Sequence, residues 1–311
     1  MIDALGSAER VLAVGIGGGG DVVGALAVAE LARLLGTPAV VGGLTWERRP
    51  IDPGPGPRRI DELSPDARRI NDWTALASPD TTGPGGFRFA ESGMARHLGE
   101  PVLLLDPSGG PAAIGSGLEG AAHELGCDVV VLLDVGGDVL AHGDEAGLAS
   151  PLADSVCLAA APALTAAGVT TLLALFGTGC DGELTPAEVL DRVAEVARAG
   201  GQLGTWGPGP AEIAGLEAAV AEIPTEASAM ALRCARGETG TTSIRGGRRT
   251  VELTVSGGLI FFFDPLVAMR TAAHCAVLVE HAASLDEAND ILLAHGISTE
   301  LAYETKHAAE Q

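Results

Sequence analysis

Five short apolar runs, at 11–15, 38–41, 102–105, 129–133 and 170–176, set the strongest limit on how this chain can fold. Each has the length of a strand and lacks the polar alternation of a strand with one wet face, so each reads as a strand buried on both sides. Ala-rich stretches with helical spacing follow most of them, at 21–35, 112–125, 151–167 and 185–199. The last opens with Thr185, Pro186 and Glu188 at the N-cap, N1 and N3 positions of a capping box. Buried strands alternating with helices predict an α/β fold: a doubly wound, mainly parallel Rossmann-like sheet with helices on both faces. No linker divides the 311 residues, which read as a single α/β domain.

Two stretches break this rhythm. Residues 43–93, rich in Pro, Gly, Arg and Asp, form a long excursion between the second and third runs, and a connection of that length reads as a lid or binding loop. Residues 238–263 read as an added C-terminal β-hairpin with its turn near Ser256, Gly257 and Gly258. In its second strand Phe261 and Phe263 would face one side and Phe262 the other, so both faces need covering. For a hairpin outside the main sheet a second subunit is the natural cover, and a homo-oligomer is expected.

Composition removes several function classes. A net charge of −22 repels phosphate backbones and anionic headgroups, so neither nucleic acid nor a membrane surface is an expected partner. The only Lys is Lys306, which excludes a GxxxxGK[ST] phosphate loop and argues against a Schiff-base enzyme. Five scattered cysteines without a CxxC pair give no disulfide framework or Cys-rich zinc site. No basic segment followed by an apolar one opens the chain, and no apolar run approaches membrane-spanning length, so a cytoplasmic protein is expected.

The most specific motif lies between the first strand and first helix, where Gly15, Gly17 and Gly20 satisfy GxGxxG and Asp21 follows at once. Backbone N–H groups approach an anion closely only where Cβ atoms are missing, so Gly15, Gly17, Gly18, Gly19 and Gly20, with Asp21 beside them, are expected to bind a phosphate or carboxylate. A tight packing turn accounts for the same glycines. Two features weigh against NAD. Asp21 would repel a pyrophosphate unless it caps the helix or acts through a metal, and the nearest acid for a ribose diol, Glu47, comes late after the second strand. Glu47 remains a ligand-binding candidate.

The fourth strand runs into Asp134-Val135-Gly136-Gly137-Asp138, followed by Gly143-Asp144-Glu145 and by Ser150 to Asp154. Carboxylates gathered at the C-terminal end of a strand either hold a hard cation such as Mg²⁺ or raise one another's pKa into the acid/base range. Asp134 and Asp138 are therefore candidate metal ligands. With Asp181, in the loop after the fifth strand, they are also candidate catalytic groups, and Gly136, Gly137 and Gly179 would let these loops close on a ligand. The competing reading is a solvated acidic loop with Asx turns and a helix cap at Ser150 or Asp154. Arg48, Arg49, Arg58, Arg59, Arg68 and Arg69 cluster in the excursion, either to meet an anionic substrate or to balance neighbouring acids.

Together the Gly15 to Asp21 turn, the DVGGD loop at 134–138 with Gly143-Asp144-Glu145, and the loop from Gly179 to Glu183 resemble a domain-of-unknown-function family of archaeal and actinobacterial proteins. The resemblance implies an α/β fold with a Gly-rich ligand site and brings no activity with it. The expected function is an enzyme acting on a small anionic metabolite, a nucleotide, phosphosugar or carboxylate, by hydrolysis, lysis or group transfer. The alternatives are a nicotinamide-dependent oxidoreductase and a noncatalytic metabolite-binding protein.

Overall fold

A computed structural model describes residues 1–309. In chain order the strands are β1 (Val11–Gly15), β2 (Ala39–Leu44), β3 (Arg68–Arg69), β4 (Thr74–Ala77), β5 (Val102–Leu105) and β6 (Val129–Val135). They continue with β7 (Thr170–Phe176), β8 (Gln202–Trp206), β9 (Gly240–Ile244), β10 (Arg249–Leu253) and β11 (Ile260–Phe263). Nine of them form one sheet in the order β3-β4-β5-β2-β1-β6-β7-β11-β8. Its central five, β5-β2-β1-β6-β7, are parallel, and they are the five apolar runs of the sequence.

The chain winds from β1 outward through β2 to β5, then returns to the other side of β1 for β6 and β7. The order therefore reverses between β1 and β6, and the loops leaving their C-terminal ends diverge to opposite faces. That divergence opens the crevice in which sheets of this kind bind ligands. Alternate residues of each strand feed separate cores. Leu12, Val14, Leu132 and Leu175 pack beneath helices Gly110–Leu125, Leu152–Leu158 and Pro186–Arg198. Val11, Ala13, Val131 and Ala174 pack beneath helices Val22–Leu34, Pro210–Glu222 and Glu226–Ala235. The capping box at Thr185 forms as its spacing predicts, with Thr185 and Glu188 each accepting from the other's backbone N–H. Among the described residues no helix is long and apolar enough to cross a membrane.

The excursion and the hairpin differ in detail from the sequence reading. Part of the 43–93 excursion adds β4 and β3 antiparallel to the edge at β5. The hairpin is β9 with β10, a separate two-stranded sheet whose turn lies at Arg245–Gly247, ahead of Ser256. β11 leaves it and enters the main sheet between β7 and β8. Phe262 is buried in one core and Phe261 and Phe263 in the other, so this chain's own helices cover both faces and the Phe run gives no reason for a second subunit.

Candidate functional site

The glycine turn after β1 is filled from within by the side chain that follows it. Asp21 folds back so that its carboxylate accepts hydrogen bonds from Gly17 N (3.1 Å) and, across the switch point, from Val135 N of β6 (3.3 Å). Gly19 N donates to the Trp46 carbonyl. Two of the N–H groups expected to meet a ligand anion are thus already engaged. The glycines serve close approach: a Cβ at Gly15 would lie 2.5 Å from the Asp21 backbone, one at Gly17 2.5 Å from Asp21 Oδ2, and one at Gly20 2.0 Å from Thr225 Cβ. Gly18 and Gly19 take positive φ, and a Cβ on either would contact Arg48. Glu47 is buried and accepts from Ala90 N at the start of helix Ala90–Leu98, where it shares the interior with Glu91.

Asp21, Asp134 and Asp154 converge, each offering an oxygen within 4.8 Å of the others, and all three are buried. Asp154 stands in the first turn of helix Leu152–Leu158, yet it does not cap that helix. The N–H groups of Leu152 and Ala153 are taken instead by Glu300, at 3.1 and 2.8 Å. One Asp154 oxygen, Oδ1, has no hydrogen-bond partner among the described residues. Asp134 Oδ2 accepts from Gly137 N at 2.9 Å, which folds the DVGGD loop back over the end of β6.

A second trio adjoins the first. Asp138, Asp181 and Glu183 bring one oxygen each within 4.8 Å of the others. Gly136 permits this contact, because a Cβ there would lie 2.5 Å from Asp181 Cγ. Gly137 packs against Val189 and Gly179 against Pro186, so both shape their loops without facing the acids. Glu183 accepts from Ala149 N and Ser150 N, both at 2.8 Å, from the Ser150 hydroxyl, and from Arg249 Nη1 at 2.6 Å. Asp138 links the trios through repulsion by Asp154 and Asp134 on one side and Glu183 and Asp181 on the other.

From the excursion, Arg48 reaches this place. Its Nη2 donates to the Gly17 carbonyl at 2.6 Å and lies 3.4 Å from Glu300, its Nη1 lies 3.6 Å from Glu304, and its guanidinium sits 4.5 Å above the Trp46 ring. Arg58, Arg59, Arg68 and Arg69 pair with Asp52, Asp61, Glu124 and Asp72, which matches the charge-balancing reading. Glu304 accepts from Trp46 Nε1 (3.0 Å) and Gly56 N (2.9 Å), so helix Glu300–Ala308 clasps the excursion onto the site.

The electrostatics follow from this excess of buried acid. Burial, opposed by N–H donors and Arg48, raises Asp21 to about 7. Burial does the same for Asp181 and Glu300, each raised to about 7. Asp134, Asp138 and Asp154 stand well above the carboxylate range, first through burial and then through repulsion by neighbouring acids of the two trios and, for Asp154, Glu300. Glu183 is the exception. Burial opposes its charge, but Arg249, the Ser150 hydroxyl and two N–H groups hold its carboxyl below the ordinary value. Asp106, just after β5, accepts from Ser108 N in an Asx turn. Two open surface concavities lie at the opposite, N-terminal edge of the strands, near Arg10 and near Thr170, far from these groups.

Residues 12–308 match the family described as Protein of unknown function (DUF1152). The chain belongs to this family. No curated protein and no solved structure matches it. The family therefore fixes kinship without a chemistry, and any reaction has to be argued from the two acid trios and their arginines. Of these groups, Glu91, Glu300, Glu304, Arg245 and Arg249 carried no sequence signal. Glu300 and Glu304 lie four apart on a short C-terminal helix, a spacing that ordinarily marks a solvated face.

Proposed function

We propose that this DUF1152 protein is an enzyme that acts on a small anionic metabolite by hydrolysis, lysis or group transfer, using a divalent cation held by the first acid trio. The observation that carries the reading is the meeting of Asp21, Asp134 and Asp154 within 4.8 Å at the switch point, with Asp154 Oδ1 left without a partner in a buried setting. Three adjacent carboxylates cannot all stay ionised in a low-dielectric interior; they take up protons or a cation. Oxygen-only ligands favour a hard cation of the Mg²⁺ type, whose remaining positions are completed by water and substrate oxygens. A cation held by Asp21, Asp134 and Asp154 would polarise a substrate oxygen and lower the pKa of a bound water.

The chain's own groups divide the remaining work. Asp138 belongs to the second trio and faces the first, and its raised affinity for a proton suits it to donate one to a leaving oxygen or to accept one from water. Asp181 shares that environment from the loop after β7. Arg48 holds the glycine turn through the Gly17 carbonyl and offers fixed positive charge beside the first trio. The test is turnover of a panel of nucleotides, sugar phosphates and small carboxylates, with Mg²⁺ or Mn²⁺ and after chelation. Asp138→Asn keeps the shape of the side chain and is expected to suppress turnover at least 100-fold with little change in melting temperature. Full activity in Asp138→Asn, or activity unaffected by chelation, would contradict the proposal.

A further inference from the structure

The tip of the β9–β10 hairpin carries Arg245, Arg248 and Arg249 within five residues, a basic patch on a chain of net charge −22. Two of the three are committed. Arg249 is bound to Glu183 and to the Asp181 carbonyl, and Arg248 donates to the Tyr303 hydroxyl and the Arg245 carbonyl. Arg245 differs. Its guanidinium makes no hydrogen bond or ion pair among the described residues, although the group is half-buried and lies within Coulombic reach of Asp21, Asp181 and Glu183. Its backbone has φ +53°, and it is the only non-glycine residue with positive φ among the described residues. Both oxygens of Glu226 accept from its N–H at 2.9 Å and fix this conformation. An arginine in a left-handed turn is held at a cost that Gly, present at the next two positions, would avoid.

We infer that Arg245 is the substrate-recognition residue of the site, and that the group it binds is a phosphoryl group bridging its guanidinium and the cation-holding trio. This rests on the proposed function above and names its substrate class. The geometry favours phosphoryl over carboxylate. A ligand of this site would meet both Arg245, which acts on Asp21, Asp181 and Glu183, and the trio with the unpartnered Asp154 oxygen. A phosphoryl group has three terminal oxygens for that division, and a planar guanidinium matches two of them. A carboxylate has only two oxygens in all. The fixed turn also limits the entropy lost when the guanidinium engages a ligand.

The test uses the full chain and three probes, inorganic phosphate, pyrophosphate and acetate, titrated calorimetrically with and without Mn²⁺. Arg245→Gly removes the guanidinium and relieves the positive φ, so it is expected to fold with a melting temperature at or above wild type. It should bind phosphate and pyrophosphate at least tenfold more weakly and bind Mn²⁺ as wild type does. Arg236→Ala deletes an equal charge at a pair with Glu217 and should leave all affinities unchanged. Wild-type phosphate affinity in Arg245→Gly, acetate binding as tight as phosphate, or no phosphate binding by the wild type under either condition would overturn the inference. Failure of Mn²⁺ to bind the wild type would count against the proposed function instead.

Discussion

Single side chains decide whether the switch point is a packed turn or a site, and Gly20 and Asp154 illustrate the two possibilities. Gly20 answers to packing. A methyl group there would overlap Thr225, so Gly20→Ala is expected to cost about 1–3 kcal/mol in urea unfolding. Gly215→Ala, inside helix Pro210–Glu222 with nothing within 4 Å of its added Cβ, should gain about 0.5–1 kcal/mol. Opposite signs from one substitution type would confirm that the glycine turn is closed by contact. Asp154 does not answer to packing, because its free oxygen has no partner among the described residues. Asp134, Asp138 and Asp181 were legible as candidates because each follows a buried apolar run, and that position puts a side chain at the C-terminal sheet edge. Asp154 was legible both as part of the acid stretch after the fourth apolar run and as a helix cap, and nothing local chose between them. The cap is supplied by Glu300, 146 residues later, and no local pattern encodes such a partner.

At the level of elements, helix Glu300–Ala308 joins parts that the sequence shows only as separate stretches. Glu304 takes the Trp46 indole N–H and the Gly56 amide, holding the excursion beside the glycine turn. Glu304→Ala leaves both donors buried and unpaired, and is expected to destabilise the protein by about 1–3 kcal/mol. Glu304→Gln, which keeps an acceptor, should cost less. Amide hydrogen exchange at Gly56 would accelerate in the Ala variant, and unchanged protection there would show that the helix does not hold the excursion. The parallel strands were readable because burial on both faces makes them uniformly apolar. The hairpin was harder to place. Glycines occur both at 246–247 and at 257–258, and only the pairing of β11 with β7 and β8 reveals which pair turns the chain.

For the whole molecule, the buried acids couple folding to pH and to cations. Asp21, Asp181 and Glu300 have pKa values of about 7 in the fold, against about 4 for an exposed carboxyl. The folded state therefore binds more protons than the unfolded state between those values. Their stabilising contribution is complete below about pH 4 and is lost as pH rises through about 7. Cation-free protein is expected to melt at progressively lower temperature from pH 5 to pH 8, and a flat profile would show that these acids are neutralised within the fold by other means. A divalent cation should reverse the loss at pH 8, since it binds the ionised form. The most direct measurement is calorimetric titration of chelator-treated protein with Mn²⁺ at pH 7.5, comparing wild type with Asp154→Asn. The predicted result is saturable binding by the wild type and at least tenfold weaker binding by Asp154→Asn, with the fold intact by circular dichroism. Equal affinities in the two proteins, or no binding by the wild type, would contradict a cation site at Asp21, Asp134 and Asp154.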